Sequence, residues 1–139
     1  RALGMAWIFH QAETLRIVDA SERAAKPEMF IVGHCDTRQI LPPVYRKYLR
    51  AFGCPILTMS WEEAEFAKIA INTMLAAQVD CTNRLAAAAA KAGASWAPIA
   101  EVLRHDSRIG PNAYLSPGRW QDSRHLLRDA VTLAGIEAQ

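Results

Sequence analysis

Polar side chains recur at helical spacing in two stretches of the 139-residue sequence. In the first stretch, Glu65, Lys68 and Asn72 stand at i, i+3 and i+7, which puts them on one face of a helix. In the second, His125 and Asp129 stand at i and i+4, where a carboxylate can orient an imidazole that acts as a general base. An ordinary exposed helix face has the same spacing, so the spacing leaves both a functional and a structural interpretation open.

The first stretch lies in a predicted long helix. Ser60-Trp-Glu-Glu63 has the pattern of a capping box, and neither Pro nor Gly follows until Gly93. This predicts a helix over residues 60–92 with a length of roughly 47 Å at about 1.5 Å per residue. A helix of that length cannot be covered by the rest of so short a chain. It therefore requires other helices or a second subunit.

Strand and helix signals alternate before this helix. The pattern is strand, loop, strand, helix, strand, which is typical of the end of a mostly parallel α/β sheet. The predicted strands are Met5–Phe9, Met29–Val32 (closed by Gly33) and Cys54–Met59, and the predicted helix runs from Pro42 to Phe52. After residue 92 the sequence predicts only helices, from Ser95 to Arg104 and from Ser123 to about Leu133, the last one ending at Gly135. We therefore expect an α/β part over residues 1–59 and a helical part over residues 60–139.

Composition excludes several classes of protein. Apolar residues make up 51% and charged residues 22%, which argues against a disordered chain. The sequence has no run of eighteen apolar residues and no visible leader, so we expect no membrane span. The net charge of +2 is too small to indicate nucleic acid. The five Arg between Arg104 and Asp129 are mixed with Asp, which favours a solvated face over an anion pocket. A chain that begins at Arg1 is interpreted as a piece of a longer protein.

Cysteines and glycine motifs give further expectations. Three cysteines, Cys35, Cys54 and Cys81, fit no zinc spacing, so we expect no metal and reduced thiols in a cytoplasmic protein. Cys35 and Cys54 adjoin predicted strands and are expected to act as small hydrophobic residues. The chain contains no G-x-G-x-x-G turn, P-loop or G-x-S-x-G motif.

Several motifs in order resemble one family, the UDP-glucose/GDP-mannose dehydrogenases. The stretch from Ala64 to Asn72 is similar to the family pattern A-E-x-x-K-x-x-x-N at the start of its central helix. The stretch Asp106-Ser-Arg108-Ile-Gly110-Pro111 is similar to the family's D-x-R-I-G-P, and Arg128-Asp129 falls on its K-D. The loop Tyr114–Gly118 continues in register, and Asn83 falls where the family carries an Asn. Before the central helix, His10–Arg16 is similar to Y-x-P-E-F-L-R. The resemblance extends over about residues 5–135.

The resemblance implies a fold and a reaction. Residues 1–59 would be an α/β remnant of a Rossmann sheet, the C-terminal part of an NAD-binding domain. Residues 60–139 would be an all-α central domain that forms a homodimer through the long helix, residues 60–92. Family members use NAD to oxidise the primary alcohol of a nucleotide-linked hexose to a carboxylate, for polysaccharide biosynthesis in the cytoplasm. The main NAD-binding motif is not in this chain.

The resemblance also implies residue roles. Lys68 and Asn72 would stabilise the developing oxyanion, and Asp129 would assist proton transfer and water. Glu13 would line the site and Arg108 would reach the substrate of the neighbouring subunit. Tyr114 and Gly118 would belong to the substrate-binding loop.

The chain departs from the family pattern at the catalytic loop. His125 stands where the family carries its nucleophilic Cys, and Trp120, Asp122 and Ser123 replace glycines. Two hypotheses follow: a nucleotide-sugar dehydrogenase-like protein with an altered site in which His125 is the base and Asp129 orients it, or a catalytically silent dimer that binds a nucleotide sugar or serves as an accessory in polysaccharide synthesis. An unrelated helical interaction domain is a third interpretation.

Overall fold

A computed structural model of the chain describes residues 8–14, 19–35 and 40–138. It divides into two compact units, residues up to Lys68 and residues from Ile69 onward, and the division falls inside the longest helix. The order of elements, a three-stranded sheet followed by a 31-residue helix and further helices, confirms the predicted fold class. The predicted domain boundary between residues 59 and 60 stays a prediction.

The sheet of the first unit is mixed. Its strands β1 (Phe9–Ala12), β2 (Phe30–His34) and β3 (Ile56–Met59) lie in the order β1-β2-β3. The pair β2 and β3 is parallel, but β1 runs antiparallel to β2. The expectation of a mostly parallel sheet is therefore wrong for β1. The helix between them, α1 (Ala20–Ala25), buries no side chain, whereas a parallel connection needs a helix packed across the sheet.

Element boundaries differ from the predicted ones in several places. Most of the strand predicted at Met5–Phe9 lies outside the described residues. α1 lies where a loop was expected, and β2 continues through Gly33 to His34. β3 begins at Ile56 because Pro55 before it has no amide hydrogen to give to the ladder, although its carbonyl accepts from the Phe30 amide at 2.8 Å.

The core of the first unit lies between β2 and the helix α2 (Pro43–Arg50). Val32 and Leu49 are completely buried, and Phe30 packs edge-on against Phe52 at a ring-centroid distance of 5.3 Å. Cys54 packs against this core as a small hydrophobic residue, as expected. Cys35 is exposed, so the same expectation is wrong for Cys35, which lies just past the end of β2.

The long helix α3 (Trp61–Lys91) begins directly over β2. The predicted capping box is confirmed: the Glu63 amide donates to the Ser60 hydroxyl oxygen at 3.1 Å, and the Ser60 amide donates to the Glu63 carboxylate at 2.7 Å. A Cβ on Gly33 would lie 2.8 Å from the Ala64 Cβ and 3.0 Å from the Ser60 carbonyl oxygen. Gly33 is thus required because the helix approaches the strand closely, and not because it closes the strand.

The second unit is helical. It contains the rest of α3, then α4 (Trp96–His105), a short 3₁₀ turn (Trp120–Asp122) and α5 (Arg124–Glu137). α3 ends where Gly93 adopts a φ of 74°, a value that favours glycine. Gly135 does not end the last helix as expected, because α5 runs through it to Glu137. Within the described ranges, no helix combines the length and the apolar character needed to cross a membrane.

Gly33→Ala is expected to destabilise the protein. The added methyl would meet two backbone atoms, the Ser60 carbonyl oxygen and the Trp61 Cα, each at 3.0 Å, and neither can rotate away. Overpacking of this kind costs about 1–3 kcal/mol in the free energy of unfolding, measurable by urea denaturation. Gly135→Ala is the matched control, since a Cβ there meets open space and should stabilise α5 by up to about 1 kcal/mol. Equal midpoints for Gly33→Ala and the parent would refute the close approach of α3 to β2.

Candidate functional site

A buried polar pair joins the two ends of the second unit. The Asn72 side chain, on α3, donates from Nδ2 to Oδ2 of Asp129, on α5, at 2.6 Å. Asn72 is 5% exposed and Asp129 is 3% exposed. The two residues are 57 positions apart in sequence, and both were predicted as site residues. A buried carboxylate requires hydrogen-bond donors, and Asn72 supplies one.

The second oxygen of Asp129 is held by its neighbour in sequence. Arg128 Nε donates to Oδ1 at 2.7 Å, while the rest of the Arg128 side chain is largely exposed. This hydrogen bond, together with the charge of Asp129, raises the pKa of Arg128. The Asp129 carboxylate is thus a buried acceptor whose negative charge is stabilised by an amide and by a guanidinium group.

The other predicted catalytic residues lie in different surroundings. In the first unit, Lys68 is half-buried on α3 and Glu13 is exposed just after β1. Glu65, the first residue of the polar stripe, is also exposed. In the second unit, His125 is exposed in the first turn of α5. The two hydrogen bonds described for Asp129 come from Asn72 and Arg128, so its predicted role in orienting His125 stays a prediction.

The D-x-R-I-G stretch forms a turn around Asp106. The Asp106 carboxylate accepts from the amide of Arg108 at 2.9 Å and from its guanidinium at 3.0 Å (Nε) and 2.7 Å (Nη2). The Asp106 carbonyl accepts from the amide of Gly110, which has a φ of 85°. The guanidinium of Arg108 is therefore held in one orientation while its side chain stays exposed. These hydrogen bonds lower the pKa of Asp106 and raise that of Arg108.

Four polar side chains of α3 hold the loop that contains Tyr114 and Gly118. Gln78 accepts from the Tyr114 amide at 3.0 Å, and the Thr82 hydroxyl donates to the Tyr114 carbonyl at 2.8 Å. Asn83 accepts from the Gly118 amide at 2.9 Å and donates to the Gly118 carbonyl at 2.8 Å. The fourth residue, Asp80, accepts from the indole of Trp120 at 2.8 Å. We call these four residues, Gln78, Asp80, Thr82 and Asn83, the loop clamp.

Sequence reasoning missed three members of the loop clamp, and it placed Asn83 only by resemblance. A signal was available, since Gln78, Asp80, Thr82 and Asn83 form a polar group ahead of the alanines 86–90. Polar side chains at such positions often satisfy the main chain of a neighbouring loop. Trp96 adds to the same loop by donating from its indole to the Leu115 carbonyl at 2.8 Å. Tyr114 and Gly118 are thus held through their main chains.

Comparison with known proteins identifies the family. Residues 62–136 match the model of the UDP-glucose/GDP-mannose dehydrogenase family, central domain. A UDP-glucose 6-dehydrogenase of Pseudomonas aeruginosa is 30% identical over 104 residues, which are 70% of this chain and 22% of that protein. UDP-glucose 6-dehydrogenase 4 of Oryza sativa subsp. japonica is 31% identical over 110 residues, which are 75% of this chain and 22% of that protein. The chain spans about a fifth of the length of these relatives.

Two solved structures share the fold. A UDP-glucose dehydrogenase from the hyperthermophilic archaeon Pyrobaculum islandicum superposes with a TM-score of 0.68 at 24% identity, covering 91% of this chain and 34% of that one. A GDP-mannose dehydrogenase from Pseudomonas aeruginosa, solved as a ternary complex, gives 0.64 at 24% identity and covers 91% of this chain and 30% of that one. The architecture is thus one found in dehydrogenases. The chain belongs to the UDP-glucose/GDP-mannose dehydrogenase family, because the family model matches more than half of it.

Removal of the guanidinium should change the titration of Asp106. In Arg108→Gln the pKa of Asp106 is expected to rise toward the ordinary aspartate value, because the two guanidinium hydrogen bonds that favour the carboxylate are lost and only the bond from the backbone amide remains. A carboxyl group whose pKa is lower in the folded than in the unfolded protein stabilises the fold at pH values above its unfolded-state pKa. This stabilisation is lost as the pH falls through the folded-state pKa. The pKa can be followed by ¹³C NMR of the carboxyl carbon.

Arg104→Gln serves as the control for this titration, since Arg104 pairs with Glu101 and not with Asp106. It should leave the Asp106 titration unchanged. If Arg108→Gln also left it unchanged, Arg108 would not be held in the turn.

Proposed function

We propose that the chain is part of an NAD-dependent nucleotide-sugar 6-dehydrogenase-like protein whose active site lacks the usual thiol. The observation that carries the proposal is the buried hydrogen bond between Asn72 and Asp129. A buried carboxylate is not needed for stability at such a place, because replacement of a buried charged contact by a well-packed apolar pair is often neutral or stabilising. Its presence therefore favours a function for this site. The substrate class is a hexose with a primary alcohol, linked to UDP or GDP.

In this proposal the chain supplies groups that bind the reacting alcohol. Lys68 and Asn72 hold the oxygen on which negative charge develops, and such preorganised donors usually contribute the largest share of catalysis. Asp129 assists proton transfer as a buried carboxylate, and Glu13 lines the site. Tyr114 and Gly118 belong to the substrate-binding loop, and Arg108 reaches the substrate of a second subunit. The exposed guanidinium of Arg108, fixed by Asp106, supports this last role.

In this proposal the main dinucleotide site lies outside this chain. The sequence contains no G-x-G-x-x-G turn. Gly33, at the end of a parallel strand, has its open side filled by Ala64 and Trp61 of α3, so it is used for helix packing and not for the approach of a phosphate. NAD would therefore bind mainly to parts of the protein outside these 139 residues. The 139-residue chain alone is expected to be inactive.

His125 is the proposed base at the thiol position. An imidazole forms an acyl intermediate from an aldehyde adduct much less readily than a thiol does, so oxidation would stop after one hydride transfer. None of the three cysteines, Cys35, Cys54 and Cys81, stands at the position of the thiol in the sequence, and in this proposal none of them replaces it. The expected product is an aldehyde.

A homodimer formed through residues 60–92 accompanies this function. α3 carries three large apolar side chains, Phe66, Met74 and Leu85, that are 48%, 63% and 48% exposed. A second copy of the helix would cover them, and a two-fold axis is the usual way to do so. The proposed compartment is the cytoplasm and the proposed pathway class is polysaccharide synthesis.

A second candidate function is a catalytically silent dimer that binds a nucleotide sugar or a protein of polysaccharide synthesis. The hydrogen bond from Trp120 to Asp80 favours it. The family pattern has glycines in this loop, whereas Trp120 of this chain is a bulky side chain that binds Asp80 of α3.

The two candidates differ in the NADH formed per nucleotide sugar by the protein extended to its natural ends. Altered-site oxidation predicts one NADH per UDP-glucose or GDP-mannose, and His125→Ala should lower kcat at least tenfold, since a general base contributes about 10²–10⁴-fold. Arg124→Ala, next to His125 and also exposed, is the control and should keep most activity.

Other outcomes decide against this proposal. Two NADH per sugar would show complete oxidation without the thiol, and full activity of His125→Ala would refute its role. Binding of the sugar nucleotide without any NADH would support the silent dimer. A monomer in sedimentation experiments would contradict both.

A further inference from the structure

α5 buries little of its apolar surface within the described chain. Of its fourteen residues, Asp129 alone is fully buried. Leu127 and Val131 are 43% and 65% exposed, and the apolar side chains that face the same side as Asp129, Leu126, Ala130 and Leu133, are only half-buried. The register of a helix is normally set by an apolar face that packs into a core. In α5 this half-buried face shares the task with polar contacts and with the segment that leads into the helix.

The segment before α5 is held by side chains of α3. Between Asp106 and Ser123 the main chain forms only short turns, and the amide and carbonyl groups of Tyr114 and Gly118 bond to the loop clamp. Asn83 differs from the other three residues of the clamp because it binds both the amide and the carbonyl of one residue, Gly118. Two antiparallel hydrogen bonds fix the position of the main chain and also the rotation of the peptide planes on either side of Gly118.

Little freedom remains between Gly118 and α5. Arg119 accepts from the Asp122 amide at 3.3 Å, and Trp120 accepts from the Ser123 amide at 2.9 Å, which closes the 3₁₀ turn directly onto the helix. The helix continues this path, since the Leu127 amide donates to the Ser123 carbonyl at 3.0 Å. A displacement at Gly118 is therefore transmitted along a continuous hydrogen-bonded segment to Asp129.

We propose that Asn83 is a positioning residue that, by clamping Gly118, sets the register of α5 and so places the Asp129 carboxylate against Asn72. The hydrogen bonds of Asn83 go to the main chain of Gly118, a residue of the proposed substrate-binding loop, and not to Asp129. Its importance for catalysis rests on the proposed function, but its effect on the position of Asp129 does not. The other clamp residues support the loop at Tyr114 and Trp120, on either side of the point that Asn83 holds.

The substitution Asn83→Asp tests this with a pH signature. At pH 7 the new carboxylate still accepts from the Gly118 amide but faces the Gly118 carbonyl oxygen without a proton to donate, and the two oxygens repel each other. When the new carboxyl is protonated, its hydroxyl donates to that carbonyl and both bonds are restored. A purely structural loss of the side chain has no such pH dependence.

The readout is solvent exchange of the Asn72 side-chain amide protons, measured by NMR on the 139-residue chain and expressed relative to the parent at the same pH. In Asn83→Asp we expect exchange to be about tenfold faster than in the parent at pH 7, the effect of losing one hydrogen bond of about 1.4 kcal/mol. The ratio should return toward one at about pH 4. Arg84→Ala, adjacent on α3 and exposed, should leave the ratio at one throughout.

Each alternative result overturns the proposal. Faster exchange at the Gly118 amide with unchanged exchange at Asn72 would show that the clamp holds the loop without positioning α5. If the exchange ratio of Asn83→Asp to the parent were the same at pH 7 and at about pH 4, the two hydrogen bonds between Asn83 and Gly118 would not determine the exchange at Asn72. If Asn83→Asp does not fold at pH 7, Asn83→Ser replaces it, because its short uncharged side chain lets water satisfy Gly118. This variant should raise Asn72 exchange equally at both pH values, and parent-like exchange would overturn the proposal.

These measurements do not depend on turnover. If the protein extended to its natural ends formed no NADH but the exchange pattern were as expected, the proposed function would fail and the positioning role would stand. If NADH formed and the exchange pattern were absent, the positioning role of Asn83 would fail and the proposed function would stand.

Discussion

The burial of one carboxylate organises the second unit. A carboxylate that is 3% exposed must receive hydrogen bonds, and Asp129 receives them from Asn72 and from Arg128. Because Asp129 is also the one fully buried residue of α5, the bond from Asn72 of α3 helps to dock the helix. In many helices a buried apolar stripe sets the docking. In α5 the apolar residues on the side of Asp129 are only half-buried, so the polar contact and the loop clamp contribute to the docking.

α3 is the element on which both units depend. At its start, the capping box and the contact with Gly33 fix it over the sheet. In its second half, the loop clamp satisfies a stretch of main chain that has no regular secondary structure of its own. An uninterrupted helix of 31 residues is suited to this, because it holds side chains in a fixed rotational order over a long distance. Its alanines add helix propensity at little cost in bulk.

The sequence alone predicts this helix closely, since the capping box and Gly93 are strong local signals. It also brings Asn72 and Asp129 into one predicted site, although by family resemblance, because spacing within a helix says nothing about a partner 57 residues away. The direction of β1, the exposure of Cys35 and the passage of α5 through Gly135 were not predictable locally. The direction of β1 and the exposure of Cys35 depend on how the strands pair and pack, while a glycine near the end of a helix can either end it or be included in it. Gln78, Asp80 and Thr82 of the loop clamp were missed; the partners of Gln78 and Thr82 are main-chain atoms, which leave no sequence pattern in the loop.

The family assignment and the departures from the family pattern point to one question, whether the buried pair serves a reaction. The pair can do so only if the hydrogen bond is a specific, energetically important contact. A double-mutant cycle of Asn72→Ala and Asp129→Ala, with unfolding in urea as the readout, measures this most directly. The account predicts a coupling free energy of about 1.5–3 kcal/mol, as for other hydrogen bonds to charged groups. Additivity of the two substitutions within about 0.5 kcal/mol would contradict it.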